Sequence, residues 1–159
     1  MLALTALENW HIEALDVQSA YLYGKLKEEI YMKQPQGFTV PGQEHKVLHL
    51  LRALYSLKQA GLAWWKTLNE SMKELSCERL KSDARIFIFW KKGTNIVVAV
   101  VYVDNSLFCG PTKAIVKEIK DAFMRKWECR DLGPAKNFLH MRIHRDDSKI
   151  MIDQCIYIP

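Results

Sequence analysis

The chain has 159 residues, of which 49% are hydrophobic and 26% charged, a globular composition that excludes extensive disorder. Its 23 Lys and Arg residues outnumber its 18 Asp and Glu residues, and the charge of +5 is compatible with a polyanionic partner without identifying one. Apolar runs stay well short of the roughly 18 residues that a membrane-spanning helix needs, and the first residues lack the basic start of a signal peptide. An intracellular protein, cytoplasmic or nuclear and without a membrane partner, is therefore expected.

The four cysteines, at positions 77, 109, 129 and 155, contain no close pair of the kind that binds zinc. They are also too sparse for a secreted disulfide framework, so reduced thiols packed as small apolar groups are expected. His45 and His49 could share a helix face, but a third ligand is missing nearby, and we interpret them as surface residues.

The first third of the chain alternates short elements with loops. Residues 1–10 predict the end of a helix, and residues 11–17 predict a strand that leads to Asp16. A short helical turn closed by Gly24 is expected next, followed by apolar-polar alternation at residues 30–32 and a loop rich in Pro and Gly at residues 35–42.

The middle of the chain predicts two helical segments. Residues 47–57 are too densely apolar for an exposed helix, and residues 56–61 interrupt them before a second helix over residues 63–75. That helix carries an apolar stripe at three- and four-residue steps, which predicts one core face. The stripe consists of Trp64 or Trp65, Leu68, Met72 and Leu75.

Residues 86–110 predict strands. The first, residues 86–90, is joined to residues 96–103 by a turn at residues 91–94, and the apolar run continues after Asp104-Asn105 to residue 109. Because Asp and Asn tolerate positive φ, this pair predicts the tight turn of a β-hairpin.

Residues 113–127 predict the clearest amphipathic helix, with Lys117, Lys120, Asp121 and Arg125 outside its apolar stripe. A second hairpin is expected from residues 138–145, a turn at 146–148 and a return at 149–154. The fold class that results is α+β, a single domain built on an antiparallel sheet with helices on one face.

Two acidic residues in this arrangement are candidates for a metal site. Asp16 ends the first strand and Asp104 lies at the hairpin tip, so the two carboxylates would meet at one sheet edge if those strands are neighbours. Carboxylate oxygens suit Mg²⁺, and paired ions serve phosphoryl transfer. An Asp-Asn turn is also common for backbone reasons alone, and nucleotide cyclases as well as polymerases use such sheets.

Four segments, in this order along the chain, resemble copia-type retrotransposon reverse transcriptases. DVQSAYLYGKLKEEIYMKQPQGF at residues 16–38 resembles the pattern DVxxAFLxGxLxExxYMxQPxGF, and LYSLKQAGLAW at residues 54–64 resembles LYGLKQAPRAW. YVDN at residues 102–105 is similar to the family's YVDD, and DLGPAKNFLH at residues 131–140 to DLGxxxxFLG. The resemblance implies a polymerase palm-type sheet and RNA-directed DNA synthesis.

The resemblance also implies site residues. Asp16 and Asp104 match the aspartates that hold two Mg²⁺ (or Mn²⁺) ions, and Asn105 stands at the position of the second aspartate of YVDD. The partners implied are an RNA or DNA template-primer and deoxynucleoside triphosphates. The sequence leaves the oligomeric state open.

Four further positions match substrate-binding residues of the family. Tyr21 falls on the aromatic residue that excludes a ribose 2′-OH, and the backbone at Val17 borders the triphosphate. Gln59 matches the glutamine beneath the templating pair, and Tyr102 lies where the box touches the primer end. Without the family context, the two tyrosines are better interpreted as packing residues and Gln59 as a polar residue at a helix start.

The chain departs from the family pattern at several positions. Asn105 replaces an aspartate, Ser56 and His140 replace glycines, and Gly61-Leu62 replaces Pro-Arg. An amide oxygen is neutral and a weaker metal ligand than a carboxylate, so weakened metal binding is expected. We also expect a truncated, degenerate palm region, without the N-terminal fingers, thumb and RNase H, that shows no primer extension. A non-catalytic nucleic-acid-binding remnant and, less favoured, a nucleotide cyclase remain the alternatives.

Overall fold

The structure is a computed structural model that describes residues 1–90, 96–146 and 149–155. It divides into two compact units, one of residues 1–18 and 70–159 and the other of residues 19–69. The described helices are α1 (Leu2–Leu7), a short 3₁₀ helix (Ala20–Tyr23), α2 (Ala60–Glu74) and α3 (Lys113–Met124). None of them is long and apolar enough to cross a membrane.

The strands form one large and two small antiparallel sheets. Their bounds are β1 (His11–Val17), β2 (Tyr31–Lys33), β3 (Val47–His49), β4 (Cys77–Arg79), β5 (Ile86–Trp90), β6 (Ile96–Tyr102), β7 (Asn105–Gly110), β8 (Cys129–Pro134), β9 (Asn137–Phe138), β10 (Met141–Arg145) and β11 (Ile150–Asp153). The large sheet has the order β4-β5-β6-β7-β1-β8, and the small sheets are β11-β10-β9 and β2-β3. The α+β class predicted from the sequence is confirmed.

The first unit has a core on each face of the large sheet. On one face α3 packs against β1, β6 and β7, and the rings of Phe108 and Phe123 meet edge to face with centroids 5.5 Å apart. On the other face Ile12, Leu107 and Ile143 share a cluster that includes the three-stranded sheet. Burial on both faces explains why β6 is almost continuously apolar instead of alternating, and why β1 is buried without a break from Ile12 to Leu15.

Several predicted elements are confirmed with small shifts in their ends. The strand at residues 11–17 is β1, the strand at 86–90 is β5, and the helices at 63–75 and 113–127 are α2 and α3. Within α2 the buried tryptophan is Trp64, together with Leu68 and Met72. The turn predicted at residues 91–94 lies outside the described residues, as do residues 147 and 148 of the turn at 146–148.

The helical interpretation of residues 47–57 is wrong. Val47–His49 forms β3, which pairs with β2 so that Tyr31 lies opposite His49, and their rings have centroids 5.0 Å apart. The apolar side chains of Val47, Leu48 and Leu51 are exposed. Apolar density indicated burial, whereas pairing with a strand more than a dozen residues earlier decided the conformation.

The end of the chain also differs from the prediction. Phe138 belongs to the separate strand β9, and Leu139 and His140 form a left-handed turn with φ of 46° and 67° before β10 begins. Strands β4 and β8 were not predicted, because both are short, largely exposed edge strands without an alternating apolar pattern.

Gly24, the glycine of the first motif, allows a close backbone approach within the second unit. A Cβ at Gly24 would lie 2.8 Å from the Trp64 nitrogen and 2.9 Å from the Ala63 Cβ. We expect Gly24→Ala to lower the free energy of unfolding by about 1–3 kcal/mol, because α2 would have to shift. Urea denaturation measures this.

Gly61→Ala is the matched control for Gly24→Ala. A Cβ at Gly61 would meet only the Tyr21 hydroxyl, at 3.8 Å, an ordinary contact. Because glycine in a helix costs about 0.5–1 kcal/mol relative to alanine, this variant should be unchanged or slightly more stable. Equal stability of the two variants would contradict the close approach at Gly24.

Candidate active site

Four residues lie in one row across the strand ends of the large sheet. Asp16 on β1 lies opposite Asn105 on β7, which in turn lies opposite Tyr102 on β6. On the other side of Asp16, Arg130 on β8 is its direct partner. Because directly opposed residues of antiparallel strands have Cβ atoms about 4.5–5.5 Å apart, these side chains share one face and are close neighbours.

Asp104 lies at the tip of the hairpin beside this row. The amide of Val17 donates a hydrogen bond to the carbonyl of Asp104 at 2.8 Å, which ties the tip to the end of β1. The turn residues are Val103 and Asp104, not Asp104 and Asn105 as predicted, and the positive φ of 58° falls on Val103. A β-branched residue is strained there, and hairpin pairing on both sides holds it in place.

The two carboxylates differ in their hydrogen-bond partners. Asp16 Oδ2 accepts a hydrogen bond from Gln18 Nε2 at 2.7 Å, and Asp104 Oδ1 accepts one from Asn105 Nδ2 at 2.7 Å. The Asn105 side chain therefore faces the Asp104 carboxylate with its donor group. An aspartate at this position would instead place a third negative charge beside Asp16 and Asp104.

The chemistry of these groups fits a hard divalent cation. Two carboxylates and an amide are oxygen donors of the kind Mg²⁺ prefers, and Mg²⁺ commonly takes its other ligands from water and substrate phosphates. Within residues 1–90, 96–146 and 149–155, no group of three or more His, Cys, Asp or Glu side chains could hold a metal.

Cys129 lies beside this site without being suited to it. It pairs with Val17 in the sheet. Burial raises the pKa of its thiol to about 12, with further contributions from the negative charges of Asp16 and Glu128. A thiol with a raised pKa is a poor nucleophile at neutral pH.

A family model described as "Reverse transcriptase (RNA-dependent DNA polymerase)" matches residues 1–159. The chain belongs to this family. The match covers the four motif segments, and it confirms the resemblance on which the site residues were assigned.

Relatives of the chain are polyproteins of transposons. It is 36% identical to the retrovirus-related Pol polyprotein from transposon TNT 1-94 of Nicotiana tabacum, over 99% of this chain and 12% of that protein. It is 30% identical to the corresponding polyprotein from transposon RE2 of Arabidopsis thaliana, over 99% and 11%. The putative transposon Ty5-1 protein of Saccharomyces cerevisiae is 30% identical over 84% and 43%. The chain thus spans less than half the length of each of these three relatives, and no solved structure matches it.

Tyr21 and Gln59 belong to the second unit. Tyr21 is half-buried in the 3₁₀ helix, with its ring centroid 4.4 Å from that of Tyr55. Gln59 directly precedes α2, and its carbonyl accepts a hydrogen bond from the Ala63 amide at 3.0 Å. The row at the sheet edge, by contrast, is made entirely of residues from the first unit.

His140 stands where the reverse transcriptase pattern has glycine, and its backbone explains that pattern. With φ of 67°, residue 140 adopts the left-handed conformation that glycine reaches without steric cost. Histidine is one of the residues found there more often than most others, so the turn between β9 and β10 persists in this chain at some cost.

Sequence reasoning missed a buried charge cluster between α3 and the sheet. Lys120 is only 1% exposed, and its ammonium group pairs with Glu13 of β1 and, at 2.8 Å, with Asp131 of β8. Its predicted place outside the apolar stripe is therefore wrong. The signal was available, since Lys120 lies four residues after Val116 and three before Phe123, and both of those are buried.

Proposed function

We propose that this chain is the palm core of a copia-type reverse transcriptase, with Asp16 and Asp104 as ligands of a two-metal nucleotidyl transfer site. The observation that carries the proposal is a backbone hydrogen bond that ties Asp104 to the residue after Asp16. In it the Val17 amide donates to the Asp104 carbonyl at 2.8 Å. Family membership supports it independently. The relatives' names describe transposon polyproteins, which is consistent with a template-primer and deoxynucleoside triphosphates as partners.

The family resemblance suggests a role for each of the candidate residues. When bound, paired Mg²⁺ or Mn²⁺ ions would stabilise the attacking and leaving oxygens of the transfer. Tyr102, 43% exposed, would face the primer end. Tyr21 would exclude a ribose 2′-OH, and Gln59 would lie beneath the templating pair. The Val17 amide already donates its hydrogen bond to the Asp104 carbonyl. Val17 would therefore border the triphosphate without donating a backbone hydrogen bond to it.

We propose further that this copy is degenerate at the metal site. Asn105 lies directly opposite Asp16, and a neutral amide attracts a divalent cation less than a carboxylate does. On this view the chain keeps nucleic-acid binding while its metal affinity is weakened, which is also what the alternative of a non-catalytic nucleic-acid-binding remnant implies. A nucleotide cyclase is less favoured, because the sequence has no GGDEF-like string after a strand and the matching family model is that of reverse transcriptases.

Asp16→Asn tests the proposed metal site. The unmodified chain should melt at a higher temperature in millimolar Mn²⁺ or Mg²⁺ than in chelator, because the metal binds only the folded state. Asp16→Asn should lose most of this shift while still binding a fluorescent template-primer. No primer extension on an RNA template is expected from either protein.

Asp121→Asn is the matched control for Asp16→Asn. It makes the same substitution on the exposed side of α3, where Asp121 pairs with Lys117, and should keep the full metal response. A metal response that survives Asp16→Asn would show that Asp16 is not a ligand. Binding of nucleoside triphosphate without any binding of the template-primer would favour the cyclase.

A further inference from the structure

Arg85 lies in the loop between β4 and β5, at the same sheet edge as the hairpin tip. Two hydrogen bonds hold its backbone in place. Its carbonyl accepts from the Val101 amide at 3.0 Å, and its own amide donates to the Asp83 carboxylate at 2.9 Å. Arg85 is therefore fixed beside the last residues of β6, although it lies outside every motif of the family pattern.

The guanidinium group of Arg85 is positioned over the ring of Tyr102. Its Cζ lies 5.4 Å from the ring centroid, and both side chains are exposed. A guanidinium that stacks on an aromatic face keeps its N–H donors free at its rim, where they can take a phosphate in a bidentate manner. The ring therefore holds the cation without neutralising it.

The charge of Arg85 is also uncompensated. Some cations of the first unit have carboxylate partners, namely Lys117, Lys120, Lys126 and Arg142, and Arg85 is not among them. Within the part of the chain that the structure describes, the Arg85 guanidinium has no ion pair or hydrogen bond and lies over the Tyr102 ring. An exposed, oriented and unpaired guanidinium has the chemistry of a phosphate-binding group.

We propose that Arg85, held over Tyr102, binds a backbone phosphate of a nucleic-acid strand lying along the sheet edge beside Asp104 and Asp16. This inference rests on the proposed function and adds a specific contact to it. The row of Arg130, Asp16, Asn105 and Tyr102 runs across four strands, and Arg85 extends it by a cation next to Tyr102. Neighbouring β-strands lie about 4.8 Å apart, and the nucleic-acid strand would cross them at right angles to β6 and β7.

The test measures binding of a fluorescein-labelled DNA primer on an RNA template by fluorescence anisotropy, at several salt concentrations. Arg85→Ala should weaken binding about tenfold near 0.1 M salt, as expected for loss of a charge-assisted contact. It should also reduce the slope of log affinity against log salt by about one. Tyr102→Leu keeps the Arg85 charge but removes the aromatic ring beneath it, so the affinity for the template-primer should fall about two- to fivefold.

Lys113→Ala is the matched control for Arg85→Ala, because it removes the same charge from an exposed residue at the start of α3. β7 runs from the hairpin turn to the opposite edge of the sheet, so Lys113 lies about 17 Å or more from the turn. The affinity of Lys113→Ala for the template-primer, and the slope of log affinity against log salt, should stay near those of the unmodified chain. Equal effects of Arg85→Ala and Lys113→Ala would overturn this inference while leaving the proposed function intact. Failure of the unmodified chain to bind the template-primer would overturn both.

Discussion

Lys120→Met is expected to lower the free energy of unfolding by about 3–5 kcal/mol, the usual cost of removing one partner from a buried ion pair. Methionine fills a volume similar to that of lysine, so the loss of stability would come from the missing charge and not from a cavity. Glu13 is 6% exposed, and without Lys120 it would be a buried carboxylate without its partner. Asp131 is half-exposed and also accepts a hydrogen bond from the Gly133 amide at 2.8 Å, so it can remain charged.

Two variants separate charge from packing in this cluster. Lys117→Met makes the same substitution on the exposed side of α3, where the pair with Asp121 is worth about 0.5 kcal/mol or less. Lys120→Met combined with Glu13→Met removes both buried charges and should recover most of the lost stability. Urea denaturation compares them. A cost for Lys120→Met as small as that for Lys117→Met would show that Lys120 is not in a buried pair.

The pH dependence of the stability that this cluster provides follows from the shifted pKa values of Lys120 and Asp131. Burial alone would lower the pKa of Lys120, but hydrogen bonds to Asp131 and Glu13 raise it. Burial would raise the pKa of Asp131, but the hydrogen bonds from Lys120 and Gly133 lower it. The Lys120 contribution is therefore lost only as pH rises through its raised pKa, and that of Asp131 as pH falls through its lowered pKa. In the unmodified chain both contributions should be complete from about pH 5 to 9, and the Asp131 contribution should be lost in stronger acid, as urea denaturation at several pH values would measure.

Asn105→Asp is expected to raise the affinity for Mn²⁺ and Mg²⁺ by about tenfold or more, because such cations respond to the number of ligand charges. The substitution restores a carboxylate directly opposite Asp16. Tenfold tighter binding adds up to about 1.4 kcal/mol of metal-dependent stabilisation at saturating metal. Thermal melts with and without metal measure this as a larger shift than in the unmodified chain.

The same substitution should destabilise the protein in chelator. It replaces the donor that Asp104 now receives from Asn105 Nδ2 at 2.7 Å by a like charge, and like charges directly opposite in a sheet repel. Asn9→Asp is the control. It lies before the far end of β1, whose residues from His11 to Asp16 span about 17 Å, and its side-chain oxygen accepts a hydrogen bond from Arg145. If Asn105→Asp and Asn9→Asp respond to metal alike, residue 105 is not at a metal site.

Much of the local structure could be predicted without coordinates, because it depends on neighbours in the chain. Apolar periodicity predicted β1, α2 and α3 to within a few residues at each end. The family could also be recognised, since the string from Asp16 to Phe38 is long enough to be specific, and the family model confirms it. Asp16 and Asp104 became candidates in the same way, as acidic residues at the predicted end of a strand and in a predicted turn.

Tertiary structure decided the features that depend on residues distant in sequence. Exposed Val47–His49 became a strand because β2 pairs with it, and Lys120 is buried because Glu13 and Asp131, on two other strands, compensate its charge. The register of β1 against β7 placed Asn105, and not Asp104, directly opposite Asp16. Periodicity carries no information about such partners, since pairing register and charge compensation arise only when separate segments of the chain are brought together.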